Sequence, residues 1–300
     1  MLSQKYLKDF LNTNDKYDFN SALNKILKQE KISGVSFLNW EESEIGDYLR
    51  SFNSVSAMAL NRQLSVLRNF ADFICEKENL PKKIYSLGED KLYDFIDKEK
   101  LNSITISFEQ YRHIKNQFDE NVRDKLIFEF AWYGLSNEEI KMIQLQDIKF
   151  TQSDFGWDIA LINIGKDIPF KIEDPEVVED IKKCMNETFH FISAKDGKTK
   201  KMKYKDSNYL IKPINVGKRK KEDYISNPSL TLQKALITKK CADIDVSNLS
   251  IEDIRRSGLV YLLSPENEKE FSMDLITVLY GYKNDTGLYW LKNFAKEKYQ

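Results

Sequence analysis

The stretch "SAMALNRQLSVLRNFADFICEK", residues 56–77, narrows the choice of fold more than any other part of the chain. Leu60, Leu64, Leu67, Ala71 and Ile74 recur at i, i+4, i+7, i+11 and i+14, which is one apolar stripe on a long helix. Asn61, Arg62, Ser65 and Arg68 fall off that stripe and form a polar face, and Pro81 marks the stop. A stripe of this length needs other helices to cover it. The sequence supplies them in "SQKYLKDFLN", "NSALNKILKQ" and, after Trp40, "EESEIGDYLRSF", whose acidic start suits a helix N-terminus. Residues 1–80 therefore read as a small helical domain.

Residues 81–103 lie in "PKKIYSLGEDKLYDFIDKEKLNSI", a charged and weakly patterned stretch that reads as an interdomain linker with one short helix. A second domain, residues 104–300, opens at "SFEQYRHIKNQF", where Ser107 and Gln110 have capping-box spacing. The apolar helix "RDKLIFEFAWYG" ends at Gly134. After "NEEIKMIQLQDIKF" the periodicity changes, and "WDIALINI" and "IPFKI" read as strands of a small sheet. "PEVVEDIKKCMNETFHFI" reads as a return to helix. The last quarter is helical again, punctuated by Pro228, Pro265 and "GYKNDTG". The fold class expected from these patterns is mainly α with a small β-sheet, in two domains.

Composition excludes several functions. No apolar run approaches the roughly 20 residues of a membrane span, and charges interrupt "MLSQKYLKDFLNTNDK" where a signal peptide needs an apolar core. A cytoplasmic protein is expected. Cys75, Cys184 and Cys241 form no CxxC pair, and His113 and His190 are the only histidines, so neither a metal site nor a cofactor is expected. The net charge is −1, yet residues 195–221 carry ten Lys, one Arg and two Asp, or +9, which leaves −10 for the remainder. Such a concentrated cationic segment suits a polyanion.

Several strings, in order, resemble the tyrosine recombinases, the phage-integrase family. "SVSAMALNRQLSVLRNFADFICEKENLP" is similar to the last helices of that family's core-binding domain. "YGLSNEEIKMIQLQDIKF" resembles its "tGLRxsEllaLxwxDI" box, with Gly134, Leu135, Glu139, Ile143, Asp147 and Ile148 in register. "NIGKDIPFKI" resembles the hairpin that carries a catalytic Lys. "SNYLI" followed by "ISNPSLTLQKAL" resembles the approach to a DNA-contacting helix. "IEDIRR" and "LYGYKNDTGLYW" resemble the two closing boxes. The resemblance covers about residues 30–298. It implies a tyrosine-recombinase-like architecture, a SAM-like helical core-binding domain followed by an α+β catalytic-like domain, that closes on double-stranded DNA.

Taken residue by residue, the resemblance also implies a degraded active site. The family's first Arg falls at Ser136, the His of its His-x-x-Arg step at Glu252, and its later His at Tyr282. Arg255 is retained. Tyr289 has the nucleophile's place, seven residues after position 282 where the family usually has nine, and Lys166 matches the hairpin Lys in a shortened hairpin. These six positions, Ser136, Lys166, Glu252, Arg255, Tyr282 and Tyr289, are expected to be vestigial. Strand transfer concentrates negative charge on a phosphate, and one missing donor typically costs on the order of 10²–10³ in rate. Each missing acid–base group costs roughly 10²–10⁴.

The residues expected to hold DNA are Asn61, Arg62, Arg68, Lys198, Lys200, Lys201, Lys203, Lys218, Arg219, Lys220, Lys221, Gln233, Lys234, Arg255 and Arg256. Lysines would neutralise phosphates, and Asn, Gln or Arg would read base edges. The function this implies is sequence-specific DNA binding without cleavage, as in a lysogeny repressor of a phage or mobile element in a bacterial cell. Self-association on DNA and a regulatory phage protein or peptide are open as further partners. Two other readings stay open: an active recombinase using Tyr289, Arg255 and Lys166, and an accessory protein that modulates a recombinase.

Overall fold

The computed structural model describes residues 2–13, 19–85, 87–88, 90–118, 121–193, 199–215, 223–239, 249–267, 276, 280–281 and 285–299. They form two compact units, residues 1–103 and 104–300.

The first unit is helical: α1 (Leu2–Thr13), α2 (Asn20–Ser33), α3 (Glu42–Arg50) and α4 (Ala57–Glu78). On α4 the stripe Leu60, Leu64, Leu67, Ala71 and Ile74 is buried as the spacing requires, and Phe70 of the same helix packs against Phe10 and Phe37 in an aromatic core. The helix ends two residues before Pro81, at Asn79, whose left-handed φ of 52° turns the chain. Glu30 is fully buried; it accepts from the Ser3 hydroxyl and from the Phe37 backbone N–H, so one carboxylate ties together α1, α2 and the turn at Phe37–Asn39. The stretch from residue 81 onward contains a 3₁₀ turn at Asp90–Phe95 and α5 (Lys98–Ile104), and it buries Tyr85, Leu87, Leu92, Phe95 and Leu101.

The second unit contains α6 (Phe108–Lys115), α7 (Val122–Trp132), α8 (Asn137–Met142), α9 (Pro175–Asn186), α10 (Pro228–Lys239), α11 (Ile251–Leu262) and α12 (Asp285–Tyr299). A three-stranded antiparallel sheet, in the order β1 (Ile148–Gln152), β2 (Asp158–Ile162), β3 (Phe170–Ile172), pairs Ile148 with Ile162 and Ala160 with Ile172. The fold class is thus mainly α with a small antiparallel sheet. No helix among the described residues is long and apolar enough to cross a membrane.

One local expectation fails. "FHFI" does not continue α9: the helix ends at Asn186, and β4 (Phe189–Ser193) pairs with β5 (Thr199–Lys203) as a second antiparallel hairpin. The apolar spacing of such a short run fits either structure, and the aromatic residues Phe189 and Phe191 decide for strand. β1 was likewise hidden, in the tail of a helical-looking box.

α7 is the axis of this unit. Every residue from Leu126 to Trp132 is buried, with α6, α8, α9, α10 and α11 packed around the helix. α11 approaches so closely that a Cβ on Gly258 would stand 1.8 Å from the Trp132 carbonyl oxygen. This all-round burial encloses a carboxyl as well. Glu129 is fully buried, with Lys115 of α6 at 3.4 Å, and Lys125 pairs with Asp180 of α9 nearby. Burial, then the neighbouring Asp180 charge, pushes the Glu129 carboxyl up to about 8, against the pull of Lys115 and Lys125.

Candidate functional site

Two capped helix starts and one hairpin turn bring together four of the six positions expected to be vestigial. Gly134 follows the end of α7, and its φ of +105° is a left-handed turn that a side chain would strain. A Cβ there would also meet the Tyr280 ring at 2.7 Å. Two residues on, Ser136 is the N-cap of α8: its hydroxyl accepts from the Glu139 N–H at 3.3 Å, and Glu139 Oε2 accepts from the Ser136 N–H at 2.7 Å. This reciprocal pair satisfies two helix-start donors, so Ser136 has a structural task where the family resemblance places an Arg. The other Glu139 oxygen, Oε1, pairs at 2.7 Å with Lys166 from the turn between β2 and β3. Burial works against the Glu139 charge, but Lys166 and the Ser136 donors outweigh it and hold the carboxyl below its usual range.

Arg255 comes from the first turns of α11, which Ser250 caps in a second capping box with Asp253. Its Nε donates to the Gly134 carbonyl at 2.6 Å and its Nη2 to the Tyr280 carbonyl at 2.7 Å. Nη1 faces Glu252 Oε2 at 3.5 Å, and the guanidinium lies 5.5 Å from the Tyr280 ring centre. The Tyr280 hydroxyl in turn donates to the Trp132 carbonyl at 3.4 Å. Arg255 thus joins the end of α7 to the chain at Tyr280, with both carbonyls oriented by its planar fork. Two cations, Arg255 and Lys166, stand with two carboxylates, Glu252 and Glu139, and the formal charges cancel.

The other two positions stand apart from this cluster. Tyr282 lies outside the described residues. Tyr289 is on α12, opposite the face buried through Leu288, Leu291 and Ala295; it is 57% exposed and makes no hydrogen bond among the described residues. Neither histidine joins the cluster. His113 is exposed on α6. His190 is buried beside Tyr204 and Asp124, and burial followed by the Arg123 charge pushes it down to about 4.

Those of the expected DNA-binding residues that are described lie on four elements, α4, β5, α10 and α11. Asn61 and Arg62 lie on the polar face of α4, where Arg62 is exposed, whereas Arg68 donates to the Tyr85 and Leu87 carbonyls and fastens the following chain. Lys200, Lys201 and Lys203 are exposed along β5, with the Lys201 ammonium 3.9 Å from the Phe189 ring centre. Gln233 and the exposed Lys234 lie on α10. Arg256 pairs with Asp253 at 3.2 Å. Lys198, Lys218, Arg219, Lys220 and Lys221 lie outside the described residues.

Sequence reasoning did not assign two residues to the cluster. Tyr280 gave no signal, since its carbonyl and its ring both act across long sequence separations. Glu139 was marked only as a match to the family's box; its capping role was legible as well, because "SNEE" carries the Ser-x-x-Glu spacing of a capping box. Removing the Arg255 side chain is expected to leave the Gly134 and Tyr280 carbonyls unsatisfied and to cost about 2 kcal/mol. Urea denaturation of Arg255→Ala checks this. A variant with unchanged stability that no longer binds DNA would instead make Arg255 a phosphate ligand.

No protein-family model matches the sequence, and no curated protein matches it either. Among solved structures, the chain is similar to the Tn1549 transposon integrase in complex with circular intermediate DNA: 13% identity, 98% of this chain and 94% of that one covered, TM-score 0.49. A variant of that integrase in complex with transposon right end DNA is similar at 12% identity, with 98% and 94% covered and a TM-score of 0.48. XerA recombinase is similar at 12% identity, with 99% and 96% covered and a TM-score of 0.40.

Proposed function

We propose that this chain is a sequence-specific double-stranded DNA-binding protein on a tyrosine-recombinase frame that has lost strand-transfer chemistry, and that it regulates transcription in a phage or mobile element. The helical unit is then the core-binding domain and the second unit the catalytic-like domain. One observation carries the loss of chemistry: Arg255 donates to two backbone carbonyls and faces Glu252, while Lys166 faces Glu139. A phosphate gathering charge in its transition state needs uncompensated, preorganised cations. Among the described residues this cluster has no net charge to give it, and Ser136 supplies a helix cap in place of a guanidinium.

What supports the DNA grip is the location of the exposed cations. β5 presents Lys200, Lys201 and Lys203, with Phe189 under Lys201. Neutralised phosphates release counterions, so each one adds roughly 0.9 to the slope of log affinity against log salt. Gel shifts over a salt series, on DNA flanking the coding sequence and on competitor DNA, test the reading. A salt-dependent complex that prefers one flanking segment is expected, and equal affinity for all DNA would reject sequence-specific recognition. Changing the three β5 lysines to glutamine is expected to lower the slope by roughly 0.9 for each phosphate that is no longer neutralised. An unchanged slope would move the grip elsewhere.

A second reading, an active recombinase, draws on Tyr289, which is exposed on α12 where an attacking hydroxyl must be accessible. It needs Arg255 to leave its two carbonyls, or a cation from outside the cluster.

A further inference from the structure

α10 buries one face and leaves an unusual one open. Leu232 and Leu236 are at most 1% exposed and hold the helix in a unit where it packs on α7 and α8. The Asn137 side chain accepts from the Ser229 N–H at 3.0 Å and fixes the helix start. On the outer side Leu230 is 47% exposed and Ile237 60% exposed, separated by seven residues, with Gln233 and Lys234 between them. Large aliphatics at this spacing form one stripe on the solvent side, where polar residues are the rule. The helix sequence "PSLTLQKALITK" contains no carboxylate. A cationic helix without acidic groups suits a polyanion, and the apolar feature peculiar to the DNA major groove is the thymine methyl.

Resting on the DNA-binding reading above, we infer that Leu230 and Ile237 are specificity-determining residues that read thymine methyl groups on either side of a base pair contacted by Gln233. Seven residues of helix rise about 10 Å, close to three base-pair steps of roughly 3.4 Å. The preferred site therefore carries thymines, on either strand, about three base pairs apart. An adenine lies between them, because a carboxamide can pair with both the N7 acceptor and the N6 donor of that base. Each methyl removed from such a contact weakens binding about fourfold, the equivalent of one buried methylene.

The test begins with selection of bound duplexes from a random library by the full-length protein. The enriched duplex is then remade with deoxyuridine for thymidine at single positions, which deletes the methyl and keeps the base pairing. Expected are two thymines about three base pairs apart whose replacement each costs about fourfold, and a Leu230→Ala protein that no longer distinguishes thymidine from deoxyuridine at one of them. An enriched site that tolerates deoxyuridine throughout overturns this inference and leaves the DNA-binding reading standing. So does a Leu230→Ala protein that binds more weakly overall yet still loses about fourfold at each of the two deoxyuridine replacements. A library with no enriched sequence overturns both.

Discussion

Gly258→Ala is expected to destabilise the unit of residues 104–300 by at least about 3 kcal/mol, above the usual range for one added methyl in a core. The added carbon would lie 1.8 Å from the Trp132 carbonyl oxygen, a backbone atom of the central helix that no rotamer change can move. Relief requires α11 and α7 to part by roughly 1.5 Å in an interior packed like a crystal. The damage spreads because the neighbouring residues of α11 depend on the same approach. Ser257 accepts from the Ile106 N–H at 3.1 Å, and Arg255 reaches Gly134 at the end of α7. Gly156→Ala at the tip of the β1–β2 hairpin is the control, since nothing stands within 4 Å there and only its φ of +88° is strained. Urea melts of both variants check the contrast. A Gly258→Ala protein as stable as Gly156→Ala would mean that the α7–α11 contact is looser than described.

The second large effect is on pH dependence. Glu129 is buried between Lys115 and Asp180, and its carboxyl titrates at about 8 in the folded protein against 4.5 as its ordinary value. Between these two pH values the unfolded chain has released this proton and the folded chain keeps it. The unfolded state then binds fewer protons, so this group makes stability fall as pH rises, by about 1.4 kcal/mol per pH unit. Below the ordinary value the penalty vanishes, and by pH 8 it approaches about 4 kcal/mol. Glu129→Gln keeps the shape of the neutral acid and cannot ionise. It is expected to flatten the slope between pH 5 and 8 and to be more stable than the parent at the alkaline end. Urea midpoints at pH 5.5, 7 and 8.5 measure both proteins, and a slope that survives the substitution would assign the titration to another group.

The sequence announced those parts of the fold that rest on local physics. The α4 stripe, the Ser107–Gln110 cap and the two strands either side of Lys166 all follow from periodicity or from contacts three or four residues apart. "FHFI" misled because four apolar or aromatic residues do not separate strand from helix until their partner, Thr199–Lys203, is known. Glu129 was visible as a lone carboxylate in "LIFEFAW", although its depth depends on α6 and α9 arriving from either side. The candidate site divides in the same way. The six positions could be marked one by one on the chain, and Glu252 beside Arg255 is a helix neighbour three residues away. The task of Arg255 could not be read so, because its carbonyl partners lie 121 and 25 residues distant. A motif records which side chain is retained, whereas only the fold records which atoms it holds.

The most direct test of the central proposal, that this chain grips DNA without cleaving it, is a nicked suicide substrate built on the duplex the protein prefers. The expected result is a specific complex that dissociates fully in denaturing detergent, identical for the parent protein and for Tyr289→Phe. A covalent protein–DNA adduct formed by the parent and abolished in Tyr289→Phe would contradict the account, since Arg255 would then have to leave Gly134 and Tyr280, or a cation from outside the cluster would have to serve the phosphate.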